Sequence, residues 1–377
     1  MEDKLVRIMV VGQTPPPYIG QAMMIDRLVN AKFDRIKIYH VRMCFSNSIR
    51  SIGNASLGKV IHLFVLVCRM LFLRFGRRID VLYYPPAGPN RTPVIRDIIL
   101  LGMTRVFFRK VVYHFRAAGI SDFLERQPRL FRTLAKIAYG TPEASIQLSA
   151  LNPADGRYFN SNHVYIVPNG LEDAALPYLP LHRNGWGPVN ILFVGVLRED
   201  KGVTVLLEAA RLLKEQGNSF RVALLGEFAS DEYEREVRAK TKAYGLSEQF
   251  CCLGLKTGPA KWYQYQAAHI FCFPSYFDCE SFGNVLVEAM MFELPVVSTL
   301  WRGIPDIVAE GETGFLVPVK NPRCVAERLS ALINNPVLRE KMGEKGRRRY
   351  LENFSLQKHL NAIQEVLETL DSGQKAG

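Results

Sequence analysis

The chain has 377 residues, 48% hydrophobic and 22% charged, which excludes a disordered protein and favours two globular domains over one core. Its net charge of +12 belongs wholly to the first 180 residues, where 24 Lys and Arg face 12 Asp and Glu, while the remainder holds 24 of each. Seven Cys without a CxxC pair exclude a disulfide framework and read as reduced thiols of a cytoplasmic protein.

Met1-Glu2-Asp3-Lys4 leads into an apolar strand over 7–12 without a signal-peptide layout. The loop after it, from Gly12 through three prolines to Gly20, lacks the Gly-Lys-Ser/Thr of a nucleoside triphosphatase. Gly20 would bring its backbone close to a phosphate or sugar, or simply make a turn. A second strand follows over 36–41. The apolar stretch 60–75 is interrupted by His62, Arg69 and Arg74 and makes a poor transmembrane helix. With Arg77 and Arg78 it suits either a basic amphipathic helix on an anionic membrane or a core helix with snorkelling arginines. Nucleic acid is not expected as a partner: there is no zinc-finger spacing, RNP-like strand or basic low-complexity arm.

Strands at 81–84, 110–115, 145–150 and 164–167 complete the first half. His114 and Arg116 stand at the end of the fourth strand. His114 would offer a hydrogen bond or accept a proton at the strand end, or else face the core. Arg116 would serve an anionic acceptor. The stretch 170–188, rich in Gly, Pro and Asn, is the expected join. The second half offers strands at 190–195, 220–226, 250–253, 269–274, 295–299 and 314–317. This alternation of strands and helices predicts an α/β chain with two facing Rossmann-like domains and an interdomain cleft. The boundaries expected are 1–175 and 176–354, with the segment 355–377 joined to the first domain.

In the second half, Gly195 permits a tight turn after a strand, and Arg198 and Lys201 follow before a helix. A Lys there offsets the charge of a departing pyrophosphate; a loop of solvated charges is the plainer alternative. Glu280 and Glu288, separated by seven residues, frame the turn-prone run Ser281-Phe282-Gly283-Asn284 at the start of an apolar stretch. A helix beginning there would face an anion with its unpaired N–H groups and dipole. Alone, the two acids read as exposed carboxylates on a loop and a helix.

Here the sequence resembles the retaining glycosyltransferases of family 4, of two-Rossmann GT-B type. Their hallmark is Glu-x7-Glu after an apolar strand ending in Pro-Ser, matched by Phe271-Cys272-Phe273-Pro274-Ser275, Glu280 and Glu288. Further matches are Val167-Pro168-Asn169-Gly170, Gly303-Ile304-Pro305-Asp306 and Gly311-Glu312-Thr313-Gly314. The likeness is specific over 160–330 and thinner over 1–150. It implies that Glu280 contacts the donor sugar and Glu288 the ribose of its nucleotide. Backbone N–H groups around Ser281, Phe282, Gly283 and Asn284 would hold the diphosphate together with Lys201. The family's usual Arg after the glycine is Val196 here, with Arg198 as its substitute. Gln21 replaces a second glycine after Gly20, and Arg116 replaces a second His.

The expected activity is therefore transfer of a hexosyl group, with retention, from a UDP- or GDP-sugar to a glycan or a polyisoprenyl-diphosphate-linked acceptor. The setting would be surface polysaccharide or lipopolysaccharide assembly, by an enzyme peripheral on the inner face of the plasma membrane. No cofactor or metal is expected, since neither Asp-x-Asp nor HExxH occurs. A nucleotide-sugar epimerase and a non-catalytic nucleotide-sugar-binding subunit are the rival readings.

Overall fold

A computed structural model of the chain describes residues 5–16, 20–45, 57–181 and 187–372; of 57, 59, 60, 371 and 372 only the backbone is described. Residues 17–19 of the first predicted loop and 182–186 of the predicted join lie outside them. The chain divides into two compact units, Met1–Asn169 with Gln357–Gly377, and Gly170–Leu356.

The first unit holds strands β1 (Val6–Gly12), β2 (Ile36–Arg42), β3 (Val81–Tyr84), β4 (Lys110–Phe115), β5 (Ala144–Gln147) and β6 (His163–Ile166). Its helices are α1 (Gly20–Asn30), α2 (Leu57–Gly76), α3 (Arg91–Thr104), α4 (Ile120–Glu125), α5 (Arg129–Tyr139) and α6 (Asp155–Tyr158). The strands form one parallel sheet in the order β2-β1-β3-β4-β5-β6. Alternation along the strands divides the apolar side chains between two faces. Met9, Val11, Leu82, Tyr84 and Tyr113 meet α2, α3 and α5 on one face. Ile8, Val10, Tyr83 and Val112 meet α1 and the last helix on the other.

The second unit holds β7 (Val189–Val194), β8 (Phe220–Leu225), β9 (Phe250–Cys252), β10 (Ile270–Phe273), β11 (Val296–Thr299) and β12 (Gly314–Val317). Between and after them run α7 (Val203–Glu215), α8 (Asp231–Ala243), α9 (Gly258–Ala267), α10 (Asn284–Met291), α11 (Ile304–Ile307), α12 (Pro322–Ile333) and α13 (Pro336–Asn353). The final helix, α14 (Leu356–Ser372), lies almost wholly in the first unit. The sheet order β12-β11-β10-β7-β8-β9 is parallel throughout. Its order reverses between β7 and β10, and a doubly wound sheet binds ligands outside the carboxyl ends of the strands at such a switch point.

All twelve strands expected from the sequence are present; β3, β4 and β12 have the expected ends, and the others differ by at most three residues. The largest shift is β5, which stops at Gln147 where the expected strand ran to 150, because Leu148–Leu151 turns toward α6.

Candidate active site in the second unit

The two segments that leave the switch point carry the predicted charged residues. After β7 the chain passes Gly195 and Arg198 into a short 3-10 turn, Glu199–Lys201, closed by Gly202 at φ +85°. A Cβ on Gly202 would stand 2.1 Å from the carbonyl oxygen of Pro274, just beyond β10. Glycine thus allows the β7 turn to press against the β10 loop, and the Tyr276 N–H donates to the Asp200 carbonyl across that contact at 2.8 Å. Gly202→Ala is expected to lower stability by about 2 kcal/mol or more, because both the backbone angle and the space oppose it. Urea unfolding reads this; an unchanged midpoint would contradict the close approach.

That approach delivers Lys201 to Glu280. The ammonium donates to Glu280 Oε2 at 2.6 Å, and Ser275 Oγ donates to the same oxygen at 3.2 Å. Lys201 also stands 4.2 Å from the centre of the Phe277 ring, with the Arg198 guanidinium 4.8 Å from it. Arg198 is paired with Asp200 through Nε at 2.6 Å and Nη2 at 2.7 Å. The ring therefore gathers two cations, each paired with its own carboxylate. Trp301 Nε1 donates to the Phe277 carbonyl at 2.9 Å and fixes that loop.

Glu280 precedes the amino end of α10, whose cap is Gly283 at φ +89° with no capping side-chain hydrogen bond. Ser281 and Phe282 are buried, and the Phe282 ring packs edge-on against Phe354, 5.7 Å away. Glu288 is the fifth residue of α10, beginning with Asn284. Its Oε1 accepts from Lys261 Nζ and its Oε2 from Tyr265 Oη, each at 2.6 Å. Glu280 and Glu288 are only 8% and 9% exposed, so the reading as two solvated surface acids is overturned. Burial, then the Glu288 carboxylate, holds the Tyr265 hydroxyl well above its usual pKa, so it is a neutral donor.

Lys261, Tyr265, Ser275 and Phe277 were not singled out from the sequence. Lys261 and Tyr265 share a face of α9 at spacing i, i+4, but nothing in their composition marks Glu288 as their target. Ser275 stood within the Pro-Ser match, and only its place beside Glu280 reveals its bond. At Gly195 a Cβ would make ordinary contact with Phe273, 3.5 Å away, so space does not demand this glycine; its φ of +154° nevertheless favours one.

The first-unit candidates lie apart from this group in sequence. Gly20 is the exposed first residue of α1. The loop leading to it is held by Arg42, whose Nη2 donates to the carbonyls of Thr14 and Pro15 at 3.3 and 2.9 Å. His114 is fully buried, with Nδ1 on the Tyr83 hydroxyl and its ring 6.2 Å from that of His359 on α14. Burial, then Arg116 and His359, pushes its pKa well below the usual value. The ring is therefore buried and neutral, facing the core as the plainer of the two expectations had it. Arg116 is also buried; it donates to Asn169 Oδ1 at 3.0 Å and to the Tyr83 hydroxyl at 3.4 Å. Both of these donors are directed into the unit.

His359 Nδ1 meets the Pro168 carbonyl at 2.6 Å, while burial and then Arg116 lower its pKa to about 3. Both histidines stay neutral when folded, but take up protons below about pH 6.5 once unfolded. The unfolded state then binds more protons, so their contribution to stability is full above that pH and lost on acidification toward 3. His359→Asn keeps a donor for Pro168 and removes one such site. Its stability loss between about pH 7.5 and about pH 5 should be smaller than the parent's by about 2 kcal/mol. Equal losses in denaturant titrations would contradict the buried neutral ring.

Among the described residues, no group of three or more His, Cys, Asp or Glu is placed to hold a metal ion.

Residues 185–349 match the family Glycosyl transferases group 1. HepE of Anabaena, solved in complex with UDP and glucose, superposes with a TM-score of 0.70 at 18% identity, over 97% of this chain and 100% of its own. Sucrose-phosphate synthase of Thermosynechococcus elongatus gives a TM-score of 0.73 at 17% identity, over 98% and 100%. At those identities the likeness establishes the fold, and this chain has the two-domain GT-B architecture.

The matched residues fall within the second unit. The capsular polysaccharide biosynthesis glycosyltransferase CapM of Staphylococcus aureus is 32% identical over 47% of this chain and 44% of its own length. The D-rhamnosyltransferase WbpZ of Pseudomonas aeruginosa is 31% identical over 50% and 47%. The chain thus spans slightly less than half the length of these two relatives.

Proposed function

We propose that this chain is a glycosyltransferase that takes its sugar from a nucleotide diphosphate donor and acts in surface polysaccharide or lipopolysaccharide biosynthesis. The observation that carries the reading is the Lys201–Glu280 pair at the switch point, beside the amino end of a helix that also bears Glu288. The capsular and rhamnosyl activities of the two relatives support the setting, and a glycan or polyisoprenyl-diphosphate-linked acceptor follows from it.

The donor's diphosphate lies between Lys201 and the N–H end of α10, where positive charge is concentrated. Glu288 receives the ribose hydroxyls, its carboxylate oriented by Lys261 and Tyr265. Glu280, held by Lys201 and Ser275, faces the sugar and supports the positive charge that develops as the bond to phosphate loosens. The acceptor hydroxyl attacks the same face, so configuration is retained. Because His114 is fully buried, the proton of the acceptor hydroxyl passes to the departing diphosphate. Lys201, Arg198 and the helix end offset the charge without a metal, and catalysis takes place at the inner face of the plasma membrane.

Incubation of the purified chain with UDP- and GDP-sugars, with and without a membrane glycolipid extract, tests this reading. Acceptor-dependent release of nucleoside diphosphate is expected. Conversion of the donor into a second nucleotide sugar without acceptor would instead make the chain an epimerase. Donor binding with no turnover across all acceptors would make it a binding subunit.

A further inference from the structure

The face of the first unit built by α2, α3 and α5 is unlike the rest of the described surface. All three helices cover the same side of the sheet, with Leu63, Met70, Val94, Leu101, Ala135 and Tyr139 among their inward residues. Their opposite sides therefore point outward together. On α2, Ile61, Phe64, Phe72 and Phe75 are each more than half exposed, Phe72 at 77%. Ile95, Ile99 and Met103 form a one-turn repeat on the outer side of α3, at 39–46% exposure. On α5, Leu130 and Ile137 are 73% and 69% exposed, with Leu134 between them. Phe75 and Phe107, whose ring centres lie 5.7 Å apart, join the end of α2 to the turn after α3.

Single exposed apolar side chains are ordinary, but a patch spanning three adjacent helices marks an interaction surface. Its charge is one-sided. Arg69, Arg77, Arg78, Arg91, Arg129 and Lys136 are exposed around the apolar rows. The three helices contain one acid, Asp97, which is fully buried and bound by Tyr84, Tyr139 and Arg96. Of the nearest flanking acids, Asp80 and Glu125 are paired with Arg74 and Arg132, and Glu143 accepts from Asn162. A twofold contact between copies of this face would set like charges against one another. An anionic bilayer satisfies both features at once, taking the apolar side chains below the headgroups and the cations among them.

We infer that the outer face of α2, α3 and α5 is a docking surface for an anionic lipid bilayer. Among the described residues no helix is long and apolar enough to cross a membrane, so α2 lies on the surface instead. The inference goes beyond the donor-site reading and stands without it, since vesicle binding and donor turnover are separate readouts.

Sedimentation of the full chain with phosphatidylcholine vesicles, with and without phosphatidylglycerol, tests it. Binding is expected only with phosphatidylglycerol and weakens as salt rises. The set Phe64→Ser, Phe72→Ser and Ile137→Ser, and separately the pair Arg69→Glu and Arg129→Glu, should each reduce binding by about tenfold or more. All five positions are exposed, so the unfolding midpoint should hold; should the serine set fold poorly, the charge pair decides. No binding to phosphatidylglycerol vesicles, or binding unchanged in a folded variant of either kind, would overturn the inference. So would a wild-type dimer in solution that the serine set converts to monomer, which would make the face an interface between copies.

Discussion

Glu280→Ala is expected to lower kcat about 10²- to 10³-fold, the usual cost of removing one preorganised group that stabilises transition-state charge. Lys201→Ala is expected to fall in the same range. The double variant should lose much less than the product of the two, because the groups act through one 2.6 Å contact. The reason is geometric. Gly202 lets the β7 turn meet the β10 loop, and Ser275 and Lys201 together fix one Glu280 oxygen. Removing the lysine frees the carboxylate to rotate and withdraws the cation that meets the diphosphate. Steady-state rates with saturating donor measure this. Multiplicative losses would show that the two residues act separately, and near-normal rates in the double variant would remove the site.

Lys261→Met should cost about 2–3 kcal/mol of stability in urea, because Glu288 would keep its buried position with the Tyr265 hydroxyl but without its cation. Adding Glu288→Gln should recover most of that loss, since a neutral amide needs no cation. The recovery distinguishes a buried pair from a surface one, which would contribute about 1 kcal/mol or less. The rescued double variant should still bind nucleoside diphosphate more weakly than the parent, because the ribose-facing carboxylate is gone. Unchanged stability in Lys261→Met would mean that the pair is solvated. Unchanged nucleotide affinity in the rescued variant would leave Glu288 with a structural role alone.

The strands were legible because each is a short apolar run between turn residues, and a parallel sheet buried on both sides writes that pattern plainly. The Glu280–Glu288 spacing was legible because it sits on one local segment. The bonds that orient those acids were not, although Lys201 itself was among the expected site residues. Lys201 lies 79 residues before Glu280, and Lys261 and Tyr265 lie 27 and 23 residues before Glu288. Such contacts are made by the order of the strands, which one sequence does not print. For His114 and Arg116 it was burial that the sequence left open. Their residue types suit a site, but the position of α14, from which His359 reaches the same cluster, decides that both are buried. The basic helix at α2 was readable from its arginines, whereas the contribution of α3 and α5 depended on knowing which sheet face they share.

The central claim is that Lys201, Glu288 and the amino end of α10 together grip a nucleoside diphosphate. Calorimetric titration of the whole chain with UDP and GDP, beside the corresponding nucleosides, tests it most directly. One saturable site is expected for one of the two diphosphates, with the nucleoside far weaker, and Lys201→Ala and Glu288→Ala should each weaken binding by about tenfold or more. No heat with either diphosphate, or an affinity indifferent to both substitutions, would contradict the account.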